Sequence, residues 1–382
     1  MKVLFISSVY YPDVFGGGEI STKFAAESLV KKGIEVDVLC CGNAKIEHIN
    51  GVRIDRREGD AFLIYKGMLL NKEYWLSKYK RLYLKYIDYY YDKKTYERYK
   101  KYFREGNYDV IQTNSPVANM GRYNIWKAAH DLGIPISHVF RCPALVTNHN
   151  NKLLDNILKR RNSIALKNVD CFAGPSNYIL KYNSVLDKRI AWGTVIPNAV
   201  EDIEKKEIVK SRTIVYAGTI NEDKGIYTLV NAYELLNEKP NILFVGKGEL
   251  RNFLVDRGYK VIDWLPRKEL YEIIAQAWLL VLPSEWPEAF GRVIIEAVSN
   301  CTIPIASKIA GIPEILDVYP DLMFEPGNEK QLANKLNKYL SINQEKYKNI
   351  IELLSKEFVK YSISNCEDNW ARYMDWIKNN VR

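Results

Sequence analysis

Glu288 and Glu296 stand eight positions apart in SEWPEAFGRVIIEA, residues 284–297, around a Phe290-Gly291 step that reads as the start of a helix. A helix N-terminus presents unpaired N–H groups and partial positive charge, so it attracts anions. Two carboxylates beside it make sense if one ligand offers the helix an anion and the carboxylates something else. The spacing alone proves little in a chain with this much glutamate. Its setting is more specific: Pro283-Ser284 close an apolar run, Pro287 and Glu288 shape a loop, and Glu296-Ala297 fall about a turn and a half inside the helix.

Two further segments carry phosphate chemistry. FGGGEIST (15–22) places Gly16, Gly17 and Gly18 after an apolar run and at the start of a helical pattern, where backbone N–H groups can approach a phosphate. It departs from the GxGxxG dinucleotide fingerprint, because the sixth position counted from Gly16 is Ser21. In YAGTINEDKG (216–225) an apolar run ends at Gly218, and Lys224-Gly225 open the next helical pattern. A lysine there meets a ligand at the carboxyl ends of parallel strands.

The elements that must hold these groups alternate. KVLFIS (2–7), EVDVLC (35–40), DVIQTN (109–114), IPISHVF (134–140) and CFAGPS (171–176) read as buried strands. Between the first two lies the helical pattern EISTKFAAESLVKKG, with Gly33 as its stop. A second series follows: TIVYAG (213–218), NILFVG (241–246), YKVIDWL (259–265), WLLVLPS (278–284) and TIPIAS (302–307). The alternation predicts an α/β protein with parallel sheets covered on both faces. A chain of 382 residues exceeds one ordinary core, and PNAVEDIEKKEIVKSR (197–212) reads as a linker. The expected domains are 1–200 and 201–359, with a C-terminal helix, 360–382, packing back on the first through Trp370, Tyr373, Met374 and Ile377.

Composition limits the alternatives. With 47% apolar and 26% charged residues the chain is that of a folded globular protein. Its six cysteines show no CxxC spacing, which points to a reducing cytoplasm. MKVLFISSVYYPD reads as a buried strand rather than a signal peptide, and no run is long enough to span a bilayer.

Most of the net charge of +9 falls within residues 66–104, a stretch also rich in tyrosine. There Leu76, Tyr79, Tyr83, Tyr86 and Tyr90 share one helical face. Either that face packs on the first domain, or the segment is an interfacial helix drawn to anionic lipid at the inner membrane face. No nucleic-acid motif accompanies the charge, so nucleic acid is not an expected partner.

Taken together, GGGE after the first strand, IPN (196–198), AGTINEDKG (217–225), FVGKGEL (244–250), PSEWPEAFGRVIIEA (283–297) and AGIPEIL (310–316) resemble the retaining glycosyltransferases of family 4. The matches run in family order over nearly the whole chain, and the E-x7-E pair Glu288 and Glu296 is the most specific of them. The resemblance implies the GT-B fold, two Rossmann-like domains with parallel sheets facing a central cleft. It implies a UDP- or GDP-sugar donor held by the second domain, and a glycan or lipid-linked acceptor met by the first. The donor diphosphate would lie against N–H groups near Ala289, Phe290 and Gly291 and against Lys224, with Gly16 to Gly18 closing over it. Glu296 would take the ribose hydroxyls and Glu288 those of the transferred hexose. No metal is implied, and no DxD pair of the metal-dependent kind is found.

Three departures bear on the site. Thr219 stands after Gly218 where the family usually has Arg, leaving Lys224 alone or helped by Lys247 or Arg292. Cys301-Thr302 stand where a Gly is usual. Arg141 stands where many relatives place a His near the sugar. With Glu288, Arg141 and His138, three residues before it, are the expected catalytic residues, though a His138 pointing inward with its strand would be a core residue. Asn114 and Ser115, after DVIQT, are further candidates to line the cleft. An arginine cannot act as a base but can neutralise phosphate charge. Two rival readings stay open: a nucleotide-sugar epimerase of the same architecture, and a non-catalytic donor-binding relative.

Overall fold

The computed structural model describes residues 1–14, 16–57, 90–114, 120–143, 145–146, 152–201 and 210–381. Most of the basic, tyrosine-rich stretch, 66–89, and Ser115 lie outside the described residues. The chain forms two units, Met1–Ala199 with Ile363–Arg382, and Val200–Ser362.

The first unit is built on strands β1 (Lys2–Ile6), β2 (Glu35–Cys41), β3 (Lys45–Ile49), β4 (Val52–Arg57), β5 (Val110–Asn114), β6 (Ile136–Val139), β7 (Cys171–Gly174) and β8 (Thr194–Val195). They run in the order β3-β4-β2-β1-β5-β6-β7-β8, and every pairing is parallel except β3 with β4. β1 is apolar and buried along nearly its whole length, as a strand covered on both faces must be. The helix Ile363–Asn380 buries Trp370, Tyr373, Met374 and Ile377 in this core beside Phe5 and Ala25. Burying side chains of this size stabilises by roughly 1.5–3 kcal/mol each, which explains why the last residues return to the first unit.

The second unit is built on β9 (Ile214–Ala217), β10 (Ile242–Val245), β11 (Lys260–Ile262), β12 (Leu279–Leu282), β13 (Ile303–Ser307) and β14 (Met323–Phe324), all parallel, in the order β11-β10-β9-β12-β13-β14. The order reverses between β9 and β12. At such a switch point the loops leaving the two strands turn in opposite directions and open a crevice at their carboxyl ends. Cys301, where a glycine was expected, adopts φ 56° in the turn before β13. The backbone therefore keeps the left-handed conformation a glycine would supply.

Candidate functional site

The loops after β9 and β12 bring Lys224 and Glu288 together. Asp223 O accepts from both Glu285 N and Trp286 N at 2.9 Å, joining one loop to the other. Gly225, at φ +69°, closes the 3-10 turn Glu222–Lys224, and a Cβ there would stand 1.9 Å from Pro283 O. Only glycine lets the two backbones meet this closely. As a result Lys224 Nζ lies 2.5 Å from Glu288 Oε1, which also accepts from Ser284 Oγ at 2.9 Å. From the far side Gly311 N donates to Glu288 O at 2.9 Å, and a Cβ on Gly311 would press within 2.5 Å of Ala289 O. Glu288 is thus held by both its backbone and its side chain.

Behind this pair the helix Arg292–Ser299 begins at Gly291, φ 87°, with no side-chain cap among the described residues. Glu296 lies one turn inside and is nearly buried, accepting from Arg292 Nε at 2.8 Å with Arg267 Nη2 at 3.4 Å. Arg267 was missed by sequence reasoning, because nothing in the linear spacing ties it to Glu296. Arg292, expected to compensate for Thr219, turns its Nε to Glu296.

Gly218 and Thr219 follow β9, where the Tyr216 hydroxyl donates to Thr219 O at 2.5 Å. Burial raises the Tyr216 pKa, with the Glu288 charge adding to it, so the phenol stays a donor. Lys247, the other expected compensating cation, sits exposed after β10 with its Nζ 3.9 Å from Asp263. Among the described residues no cluster of three or more His, Cys, Asp or Glu could hold a metal ion.

In the first unit Gly16 caps the helix Gly17–Lys31 and its N–H donates to Glu19 Oε2 at 2.9 Å. A Cβ on Gly18 would come within 3.8 Å of Arg141 Cδ, and Arg141 Nη1 donates to Asn198 Oδ1 at 3.0 Å. Gly18, Arg141 and the IPN segment therefore meet. The preceding loop is held by Arg56, whose guanidinium reaches Tyr10 O at 3.1 Å, Tyr11 O at 2.5 Å and Asp13 Oδ2 at 3.3 Å. No local pattern identified Arg56.

His138 does not reach a site. It is fully buried on β6, its ring edge-on to Trp126 and Phe140, with Nδ1 2.9 Å from Thr113 Oγ1. Burial pushes its pKa down to about 3, helped by the Arg122 charge, so the ring is neutral. It is a core residue, and the catalytic role expected of it is corrected here.

Residues 15–202 match the family described as Glycosyltransferase Family 4, and residues 199–355 that described as Glycosyl transferases group 1. The chain belongs to glycosyltransferase family 4. It is 25% identical over 354 residues to an uncharacterized 42.6 kDa protein in the cps region of Klebsiella pneumoniae, covering 85% of this chain and 90% of that one. It is 27% identical over 185 residues to the lipopolysaccharide 1,2-N-acetylglucosaminetransferase of Salmonella typhimurium, covering 43% of this chain and 48% of that protein. Alr3699/HepE of Anabaena, solved in complex with UDP, superposes with a TM-score of 0.69 over 98% of this chain and 100% of its own, at 14% identity. At that identity the likeness shows the fold, which is GT-B, two α/β domains on largely parallel sheets. Among the described residues no helix of this glycosyltransferase is long and apolar enough to cross a membrane.

Proposed function

We propose that this glycosyltransferase moves a hexose from a nucleotide-diphospho-sugar, with retention of configuration, to a glycan or lipid-linked acceptor of a surface polysaccharide or lipopolysaccharide. The observation that carries the donor reading is the Lys224–Glu288 pair at the β9/β12 switch point, in the loop that leads into the Arg292–Ser299 helix, which has no side-chain cap among the described residues. A diphosphate there displaces Glu288 from Lys224 and takes the ammonium and the helix N–H groups as its own partners. Glu288 then accepts hydrogen bonds from the sugar, and Glu296 from the ribose. The charge is met without a metal ion. UDP in the Anabaena neighbour and the acceptor class of the Salmonella relative support the same reading.

In the transfer the bond between the anomeric carbon and the phosphate oxygen breaks, and the nucleoside diphosphate leaves with the electron pair. The acceptor oxygen bonds to that carbon on the same face, and its proton passes to the leaving diphosphate. Glu288 steadies the positive charge that develops on the sugar. The test is a thermal-shift panel of UDP, GDP, ADP and their sugars, followed by proton NMR of the product anomer in the presence of EDTA. A ligand that binds the folded chain raises its melting temperature. If no nucleotide shifts it, the donor reading fails; an inverted anomer or a strict metal requirement overturns the mechanism.

A further inference from the structure

In the second unit the ammonium groups of Lys224, Lys335 and Lys338 each meet a carboxylate. Lys210, just ahead of β9, meets none among the described residues. Its Nζ lies 2.7 Å from Thr302 Oγ1 and 3.2 Å from Asn300 O, over the Tyr347 ring at 6.0 Å. Both hydrogen bonds have a fixed direction. Asn300 O can only accept, and the Thr302 hydroxyl spends its own hydrogen on Ile274 O at 2.6 Å, so Lys210 donates to both. The third N–H of the ammonium has no acceptor among the described residues. Losing that proton breaks no hydrogen bond, and it leaves a nitrogen lone pair turned away from the two acceptors. Burial opposes the charge as well, since Asn300, Thr302 and Tyr347 are all buried. It pulls the Lys210 pKa down to about 8, with Cys301 working against the shift. Tyr347, the other titratable neighbour, stays neutral because burial raises its pKa, and its hydroxyl donates to Trp278 O and Cys301 O at 3.0 Å. At pH 7 about a tenth of such an amine is uncharged, against less than about a thousandth of an ordinary lysine.

We infer that Lys210 is an acylation site, an amine aligned by Thr302 and Asn300 for attack on a small activated acyl group such as an acyl phosphate. Lys210 is only partly buried, so a reagent of that size reaches it. The lone pair adds to the carbonyl carbon and the N–C bond forms. The C–O bond to phosphate breaks, and phosphate leaves with the electron pair and takes up the proton that nitrogen sheds. A desolvated lysine amine without a counter-ion is a recognised nucleophile. The modification has a structural consequence. Asn300 caps the C-terminal end of the Arg292–Ser299 helix, so the ammonium sits at the negative end of that helix dipole. The product amide is uncharged and keeps one N–H for two acceptors, so the helix end loses its cation and one oxygen its donor. Acylation therefore weakens the second unit.

The probe is acetyl phosphate, added to the folded full chain over a series from pH 7 to pH 9, with the acetylation of each lysine followed by peptide mass spectrometry. At pH 7 Lys210 should react on the order of tenfold faster, or more, than the exposed Lys260, Lys308 and Lys330. Its rate should level off above about pH 8, where theirs keep climbing. The acetylated wild type should melt a few degrees earlier than the untreated chain, and so should Lys210→Gln, which lacks the charge. Lys210→Arg keeps the cation and its donors, so it should hold its melting temperature and lose far less of it on treatment. If Lys210→Gln does not fold, the wild-type rates and Lys210→Arg still decide. Lys210 reacting no faster than the three exposed lysines, or only after unfolding in urea, would make it a structural cap alone and overturn the proposal. An equal loss of melting temperature on treating wild type and Lys210→Arg would remove the consequence drawn for the second unit.

Discussion

Lys224 Nζ and Glu288 Oε1 lie 2.5 Å apart across two loops that leave neighbouring strands of the second unit. Sixty-four residues separate them in sequence, and the reversal of strand order between β9 and β12 brings them together. The sequence suggested a lysine for phosphate and a glutamate for sugar. The structure adds that each is the other's counter-ion.

Competition for Lys224 makes the two substitutions diverge. Lys224→Ala removes a charge-assisted bond of about 1.5–3 kcal/mol, so nucleoside diphosphate affinity should fall roughly ten- to a hundredfold. Glu288→Gln removes the competing anion while keeping an acceptor for Ser284, so nucleotide should bind as tightly as before or more tightly, while turnover drops about a hundredfold. Calorimetry with UDP, GDP and ADP, paired with transfer rates, checks both. Equal losses of nucleotide affinity in the two variants would show that the carboxylate meets the nucleotide itself.

Gly225 sets the distance between the loops. Gly225→Ala adds a Cβ at φ +69° that stands 1.9 Å from Pro283 O, so Lys224 must shift. Backbone strain of this kind costs roughly 1–3 kcal/mol, and the variant should melt earlier and bind nucleotide more weakly. Gly258→Ala is the control: its φ is +80°, with nothing within 4 Å of the added Cβ. It should lose some stability and no affinity. If both variants behave alike, loop spacing does not position Lys224.

Most of the sheet and the second unit's loops were legible because buried parallel strands read as unbroken apolar runs and the glycines mark where backbone must turn or touch. β3 and β4 are absent from the expectations, although Asn50-Gly51, at φ 50° and 81°, is a strong hairpin signal between alternating residues. His138 was misplaced for a physical reason. A strand covered on both faces shows no alternation, so the sequence does not say which side a side chain points to. Arg56 and Arg267 went unseen because their partners, Tyr10, Asp13 and Glu296, lie far away in the chain.

Glu296 has a structural as well as a binding share. Its carboxylate takes Arg292 Nε at 2.8 Å in a nearly buried setting with Arg267 alongside, and breaking a buried pair costs about 3–5 kcal/mol. Glu296→Ala should therefore lower the melting temperature as well as nucleotide affinity, while Glu296→Gln keeps more stability. The ribose role separates from the structural one through UDP against 2′-deoxy-UDP or the corresponding pair for the preferred base. The wild type should favour the ribose form, and Glu296→Gln should largely lose that preference. An unchanged preference would remove Glu296 from the ribose.

His138 predicts an acid sensitivity unconnected with turnover. Folded, its pKa is about 3 against an ordinary 6.5, because burial opposes the charged ring. The unfolded chain therefore binds a proton that the folded chain refuses whenever the pH lies between these values. That leaves the folded state unaffected above about pH 6.5 and progressively less stable as the pH falls toward 3, by up to about 1.4 kcal/mol per pH unit. His138→Gln has no such group, so the melting-temperature difference between wild type and variant should move in the variant's favour on going from pH 7 to pH 5. The pH dependence of transfer should keep the same acid limb in both. A gap that stays constant from pH 7 to 5 would contradict the neutral buried ring, and an acid limb that vanishes with His138→Gln would return the residue to the active site.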